Sequence, residues 1–438
     1  MAFLQPWNNI PKVTNSKAVM FSDPESFKFN NKTTYLPRGL GRSYGDVCLN
    51  NNGSLILTQE NNSILHFDHE NGTIECESGI SLNELLKIIT PLGWFLPVVP
   101  GTSFVTVGGA IANDIHGKNH HTKGTFGNYI ESFDLLRSNG EVKTCTRQHN
   151  KDYFFSTVGG LGLTGLIIRA KIKLIPIKSS YINTKNTRYH SLDEFFEINE
   201  KMERDNEYTV SFVDLGLSKK NNNVRGVFHI GNHANNIKKS KNKPFKSKEI
   251  SLNLPFPPYI SVINNFSIQL INRGYYFINK SSDWHIQHYR KFFFPLDSVK
   301  NWNKAYGYKG FYQYQFVVPK TNAIDVLNDV IKVIKLHNQK PVLGVLKTFG
   351  KIKSVGMLSF PSEGVTLAID IQNRGKTTLN MLKNLDSIIL NAGGRLYPAK
   401  DARMSEETFH KSFPNYNEFS KFIDPLFNSS FLKRINSK

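Results

Sequence analysis

Three glycine-bearing turns carry most of the chemistry readable directly from the residues. They are Pro37-Arg38-Gly39-Leu40-Gly41-Arg42-Ser43-Tyr44-Gly45-Asp46, the stretch Pro100 to Gly109, and Gly159 to Gly165. Glycine accepts φ > 0 and lets the backbone approach a ligand closely. Successive N–H groups in such turns form nests that bind anions. One such turn is ordinarily only a tight bend; three together point to a large flat ligand with anionic groups. Gly160-x-Gly162-x-x-Gly165 also fits the dinucleotide fingerprint, but that motif needs a following helix whose N-terminus holds the pyrophosphate. Leu166-Ile167-Ile168-Arg169-Ala170-Lys171-Ile172 alternates as a strand instead. Asp46 to Asn51 after the first turn does not promise a helix either, so a Rossmann reading is rejected.

Other polar residues sit in patterns worth weighing. His116, His120 and His121 invite a metal, since two histidines four apart suit zinc on a helix. Gly117 weakens a helix there, and no acidic or cysteine third ligand has a recognisable spacing, so hydrogen-bonding loop histidines are preferred and no metal is expected. Period-two alternation places Lys347 with Phe349, and Gln313 with Gln315, on shared strand faces. In Val365 to Ile371 it sets Val365, Leu367, Ile369 and Ile371 on one face and Thr366, Ala368 and Asp370 on the other.

The elements that must hold these residues follow from periodicity. Tyr35 to Pro37, Ser54 to Thr58, Ser63 to Phe67, Thr73 to Glu77 and Ile167 to Pro176 read as strands. Ser81 to Thr90 reads as a helix capped by Ser81, with Leu82, Leu85, Leu86 and Ile89 on one face. The character changes after Pro176. Leu192 to Arg204 and Asn322 to His337 read as helices, the latter with Ile324, Leu327, Ile331 and Ile334 on a stripe. Tyr208 to Val213, Tyr312 to Val318, Val342 to Phe349 and Val365 to Ile371 read as strands, and a helix begins after Ser405. Residues 88–113 carry no charge over 26 positions, but three prolines and four glycines exclude a membrane span, leaving buried turns and short strands.

The 438 residues suggest two or three domains and ample core. With 39% hydrophobic and 21% charged residues the chain is folded rather than disordered. Three cysteines exclude a disulfide framework and suit reduced thiols in the cytosol. The 55 basic and 35 acidic residues give +20, a field that attracts phosphates without choosing among nucleic acid, anionic lipid and charged substrate. Lys238, Lys239, Lys241, Lys243, Lys246 and Lys248 concentrate part of it, read first as a solvated loop and alternatively as a contact with anionic headgroups. The start of the sequence lacks the basic and apolar regions of a secretory signal, so a cytosolic location with peripheral membrane attachment is expected.

The glycine turns also carry a family resemblance. Pro37 to Asp46 resembles the first FAD-pyrophosphate loop of vanillyl-alcohol-oxidase (PCMH) type flavoproteins. Pro100-Gly101-Thr102 with Thr106-Val107-Gly108-Gly109-Ala110-Ile111-Ala112-Asn113-Asp114-Ile115-His116-Gly117 resembles the second. Thr125 to Asn128, Thr157 to Gly165 and Gly394-Arg395-Leu396-Tyr397-Pro398-Ala399-Lys400-Asp401 narrow the similarity to oxidases of polyprenyl-phosphoryl ribose.

The resemblance implies an α+β, two-subdomain FAD-binding fold with an inserted antiparallel-sheet and helix substrate domain. The FAD domain is expected at 1–177 and 395–438, the substrate domain at 178–394. FAD contacts are expected from Pro37, Arg38, Gly39, Leu40, Gly41, Arg42, Ser43, Tyr44, Gly45, Asp46 and Val47, then Gly101, Thr106, Val107, Gly108, Gly109, Asn113, Asp114, Ile115, His116, Ile167 and Tyr397. Lys400 is expected beside the flavin as a catalytic cation, with Tyr44 and Gln315 orienting the sugar hydroxyl. Lys118, Gln313, Lys347, Phe349 and Thr366 are expected to bind substrate. The implied reaction oxidises the 2′-hydroxyl of a polyprenyl-phosphoryl pentose by hydride transfer to flavin N5, with a separate ketoreductase completing an epimerisation toward arabinose. Pro255 to Phe266 and Phe292 to Phe294 are candidate exits for the lipid tail. The competing readings are an aldonolactone or soluble-sugar oxidase and a basic nucleic-acid-binding protein; the latter leaves the three glycine turns unexplained.

Two departures have consequences. Mycobacterial members carry cysteine where Ala368 stands and asparagine where Thr366 stands, so thiol-directed inhibitors of those enzymes are expected not to label this chain. Arg42 occupies the place of the flavin-linking histidine of covalent relatives. Acid precipitation of the FAD-loaded protein should therefore release all flavin into the supernatant; flavin remaining on the pellet would contradict this, with His116 the first residue to inspect by peptide mapping.

Overall fold

The computed structural model describes residues 4–13, 15–215, 224–235, 252–254, 256–259 and 261–436. The lysine cluster at 238–248 and Pro255 lie outside the described residues. Three main sheets organise the chain. A parallel three-stranded sheet runs Lys17–Met20, Ser54–Leu57, Tyr35–Arg38. An antiparallel five-stranded sheet has the order Ile64–Asp68, Thr73–Glu77, Leu166–Lys173, Ile130–Leu136, Val142–Thr146. An antiparallel eight-stranded sheet has the order His285–His288, Tyr181–Tyr189, Arg225–His233, Tyr208–Asp214, Val342–Phe349, Gly364–Gln372, Phe311–Val318, Arg395–Leu396. The architecture is α+β.

Strand alternation decides what each face of the large sheet does. Tyr312, Tyr314, Phe316, Leu346, Leu367, Ile369 and Ile371 enter one core with the helices Leu192–Glu203, Ala323–Leu336 and Lys376–Asn391. Leu327, Ile331 and Ile334 are fully buried there, each stabilising the packing by roughly 1.5–3 kcal/mol relative to exposure. Ile324 is only half-buried; Val326 and Val330 take its expected place on the stripe. The opposite face of the same strands carries Gln313, Gln315, Val345, Lys347, Ala368 and Asp370, which line a cavity. The registers Gln313↔Asp370, Gln315↔Ala368 and Val345↔Ala368 put these side chains in adjacent rows.

The glycine-rich first third wraps the other side. The Leu82–Ile89 helix begins at Ser81 with a full capping box, its hydroxyl accepting from the Glu84 N–H and Glu84 reaching back to the Ser81 N–H. The uncharged segment differs from expectation: Val107–Ala112 is a helix capped by Thr106, not a turn or strand. Two consecutive glycines masked it, because glycine lowers helix propensity by about 1 kcal/mol relative to alanine. The Asn265–Ile278 and Lys376–Asn391 helices also escaped the periodicity reading. Phe292, Phe293 and Phe294 are buried with Phe95, Tyr208 and Tyr289, so this run is core rather than an open lipid exit, although Phe293 also reaches the cavity wall. Among the described residues no helix is long and apolar enough to cross a membrane.

Candidate active site

The cavity between the glycine turns and the large sheet has a volume of about 730 Å³. That is within the range for ligand sites, which is roughly 300–1,000 Å³. The turns meet at distances only glycine allows. A Cβ on Gly39 would lie 2.2 Å from the Thr106 hydroxyl, so the first and second turns touch backbone to side chain. Gly41 has φ +61 and Gly45 φ +146, and the third turn carries Gly159, Leu161, Gly162 and Gly165 at positive φ. The first and third turns thus have the positive-φ backbone that glycine permits. The second turn instead enters the short 107–112 helix.

The tail of the chain closes the site through backbone bonds. After Arg395–Leu396 pairs with Phe316 and Val317, the Tyr397 N–H donates to the Gln315 carbonyl at 3.0 Å and the Tyr44 N–H donates to the Ala399 carbonyl at 2.9 Å. The Tyr397 hydroxyl donates to the Asn113 carbonyl at 3.1 Å. Lys400 is thereby held beside Tyr44, its ammonium 5.3 Å from the ring centre.

Electrostatics concentrate on the sheet face. Burial pushes Lys400 down to about 8, an effect only partly opposed by the Asp370 carboxylate. Burial pushes Asp370 up to about 6, against the Gln313 hydrogen bond and the Lys400 charge. Gln313 Nε2 donates to Asp370 Oδ1 at 2.6 Å. Burial drives Lys347 well below its ordinary value, reinforced by Lys400 and Lys118. His116 is likewise held well below 6.5 by burial and by Lys347, Lys400 and His120, so its ring is neutral. A neutral ring has one N–H. Gln315 Nε2 lies 3.0 Å from His116 Nε2, and Lys347 Nζ lies 2.9 Å from His116 Nδ1, so both ring nitrogens have a hydrogen-bond partner. Lys347 Nζ also donates to the Gly117 carbonyl at 2.7 Å. Lys118 is pushed down to about 7 by burial and lies 4.5 Å from the Phe292 ring centre while donating to the Phe292 carbonyl.

The expected site residues divide into two groups. Residues 37–44, Val47, Gly101, Thr106, Gly108, Gly109, Asn113, Ile115, His116, Lys118, Ile167, Gln313, Gln315, Lys347, Tyr397 and Lys400 line the cavity. Gly45, Asp46, Val107, Asp114, Phe349 and Thr366 do not. Asp46 is buried against Arg434, which donates to both its oxygens at 2.7 and 2.8 Å and also to Asp401. Asp114 accepts from the Gly127 N–H and the Ser359 hydroxyl, bracing the second turn from behind. Val107 belongs to the core. Phe349 packs its ring against His116 and His120. Thr366 accepts from Gln315 Nε2 at 3.1 Å and donates to the Phe316 carbonyl, so it fixes Gln315 from beneath. His120 accepts from the Gly350 N–H and His121 meets the Asn206 carbonyl, so the three histidines point to three different partners. Asp370 was missed as a site residue. The alternation that paired it with Thr366 and Ala368 was the available signal, but nothing local marks one strand carboxylate as buried.

The residues fit FAD. Asn113 Oδ1, Gln313 Oε1, Gln315 Oε1 and Arg42 Nε are buried without a hydrogen-bond partner among the described residues. All four side chains line the cavity. Buried polar atoms are ordinarily paired, so these are free for a ligand. The glycine cradle, the apolar Ile115 and Ile167 walls and the convergent polar groups suit a flat ring system with a pyrophosphate.

Fold and site together define an FAD-binding oxidoreductase. A family model described as an FAD binding domain matches residues 28–146. The decaprenylphosphoryl-beta-D-ribose oxidase of Mycolicibacterium smegmatis is 36% identical over 415 residues, 91% of this chain and 88% of that protein. An uncharacterized protein of Streptomyces coelicolor is 28% identical over 373 residues, covering 81% of this chain and all of that one. The human delta(24)-sterol reductase is 29% identical over 115 residues, 26% of this chain and 22% of that protein. The chain belongs to the decaprenylphosphoryl-β-D-ribose oxidase family of PCMH-type FAD oxidoreductases.

A Cβ on Gly45 would lie 1.7 Å from the Asp401 carbonyl oxygen, at a φ that disfavours any side chain. Gly45→Ala should lower stability by about 1–3 kcal/mol and weaken FAD uptake, because the 397–401 segment must move. Thermal melts and flavin titration would read both; a variant melting and titrating like the wild type would show that this contact does not hold the site.

Proposed function

We propose that this chain oxidises the 2′-hydroxyl of a polyprenyl-phosphoryl ribose to a ketone, using FAD held without a covalent link by 1–177 and 395–438, with the substrate held by 178–394. The observation that carries this reading is the half-buried Asp370–Gln313 pair and the Lys400 ammonium on one wall of a glycine-cradled cavity, in a chain of this family. Bound FAD supplies the two-electron oxidising power that takes the hydride from the alcohol carbon.

The chain's own residues handle the proton and the charge. Asp370, raised by burial yet ionised near neutrality, is the acceptor for the hydroxyl proton. The Lys400 cation stabilises negative charge as it develops nearby. The unpaired Oε1 atoms of Gln313 and Gln315 accept the sugar hydroxyls and fix their orientation. Tyr44 stays protonated, since burial raises its phenol far above the ordinary value, and serves as a donor. Lys118 receives the substrate phosphate; an arriving anion restores the proton that burial weakens. The hydrogen-bonded His116–Lys347 pair is a polar support anchored to Gln315 and the Gly117 carbonyl. Release of a ketone calls for a partner ketoreductase that returns hydride to the opposite face of the sugar carbon, which inverts that centre.

Anaerobic mixing of FAD-loaded protein with a polyprenyl-phosphoryl ribose should bleach the flavin, and free sugars or aldonolactones should not; the reverse pattern would favour a soluble-sugar oxidase. The bleaching rate should rise with pH as Asp370 ionises around 6 and fall as Lys400 loses its proton around 8. Asp370→Asn should keep FAD, lose the acidic limb and slow reduction about 100-fold or more. A variant with wild-type rate and limb would remove Asp370 from the mechanism. Lys400→Met should likewise retain FAD and lose most turnover.

A further inference from the structure

The Asn265–Ile278 helix is built inside out. It starts from a full capping box, Asn264 Oδ1 accepting from the Phe266 and Ser267 N–H groups while the Ser267 hydroxyl accepts from the Asn264 N–H. Its inner side is anchored: Ile268, Asn272 and Tyr276 are buried, and Asn272 Nδ2 donates to Asp214 Oδ1 at 2.9 Å and to the Pro341 carbonyl. Arg188 donates to the carbonyls of Tyr276 and Phe277 at its C-terminal end. The outer side, which water should make polar, is apolar. Phe266 is 70% exposed, Leu270 56% and Phe277 59%, spaced on one helical stripe on which exposed Arg273 is the one charged residue, with Ile278 at 82% beside them. The flanking chain adds exposed Phe256, Tyr259, Val262, Trp284 and Ile286. Soluble surfaces rarely concentrate large apolar side chains this way.

Two further observations choose the occupant. From residue 252 to 282 the sequence holds no Asp or Glu, while Arg273 and Lys280 are exposed on and just beyond the helix. The apolar face is also continuous with the active-site cavity: Ile271 and Leu296 are both exposed and line it, and Tyr275 lines it from the same helix. At 14 residues the helix is too short to span a bilayer.

We propose that this helix docks on an anionic lipid bilayer, lying in the headgroup region with Phe266, Leu270 and Phe277 in the acyl boundary and Arg273 and Lys280 at the phosphates. The cavity mouth at Ile271 and Leu296 then faces the membrane, and a lipid tail passes between bilayer and site along apolar side chains without crossing water. The delivery role rests on the lipid-linked substrate proposed above; the docking itself does not.

The experiment is co-sedimentation of FAD-loaded full-length protein with phosphatidylcholine vesicles and with phosphatidylcholine/phosphatidylglycerol vesicles, at low and high salt. Wild type should pellet with the anionic vesicles, less at high salt. The triple variant Phe266→Ser, Leu270→Ser, Phe277→Ser changes residues outside the cavity lining and should keep FAD and its melting temperature. Its partition should drop about tenfold or more. Its turnover of a short-chain, water-soluble substrate analogue should match wild type, while turnover of vesicle-borne long-chain substrate falls. Wild type remaining in the supernatant with both vesicles, or a variant pelleting equally, would overturn the docking face. Sedimentation showing a lipid-free dimer that the variant abolishes would assign the face to a second copy and overturn it as well. Vesicle binding that persists in a protein inert toward lipid-linked sugars would support docking while rejecting the oxidase reading.

Discussion

The Tyr44 N–H donates to the Ala399 carbonyl, joining the first glycine turn to the 397–401 segment. Around that bond the site is assembled. The same segment extends the large sheet through Arg395–Leu396, receives the first turn through Tyr44 and reaches the second through the Tyr397 hydroxyl. Lys400 therefore has its place set by backbone hydrogen bonds rather than by its own flexible stem. The Arg434 clamp on Asp46 and Asp401 holds the same junction from outside the cavity, with both carboxylates buried. Removing one member of such a cluster leaves uncompensated charge in a low-dielectric setting, which costs far more than an exposed pair.

The second governing feature is the charge balance of the cavity. Burial lowers the proton affinity of three lysines and a histidine, neighbouring cations lower Lys347 and His116 further, and the Asp370 carboxylate partly opposes the shift at Lys400. Burial alone disfavours every charged form. The result is a cavity in which Asp370, Lys118 and Lys400 are shifted to about 6, 7 and 8, while His116 stays neutral. Thr366 and Phe349 act on this set indirectly, one beneath Gln315 and the other against the two histidines.

Much of the local architecture was legible because it follows short-range rules. Alternation separated the helix-packed face of the 364–372 strand from its cavity face, and Ser81 announced the helix after it. The failures have equally local causes. Gly108 and Gly109 hid the 107–112 helix. The outward apolar stripe of the 265–278 helix violates the pattern by which surface helices are found. Asp46 sits within a glycine motif and was assigned to the ligand with its neighbours, although its partner Arg434 is at the far end of the chain.

Residue types and periods by themselves determined the strand faces, the glycine turns and the family, since each depends on conformational preferences acting within a few positions. Which of those residues share a site was decided by tertiary structure. Proton affinities, ion pairs and cavity walls depend on distance in space and on exclusion of water, and neither exists until remote segments pack. Asp370 shows the division: its face could be read from a period of two, but its desolvation beside Lys400 arose only when the eight-stranded sheet closed against the 397–401 segment.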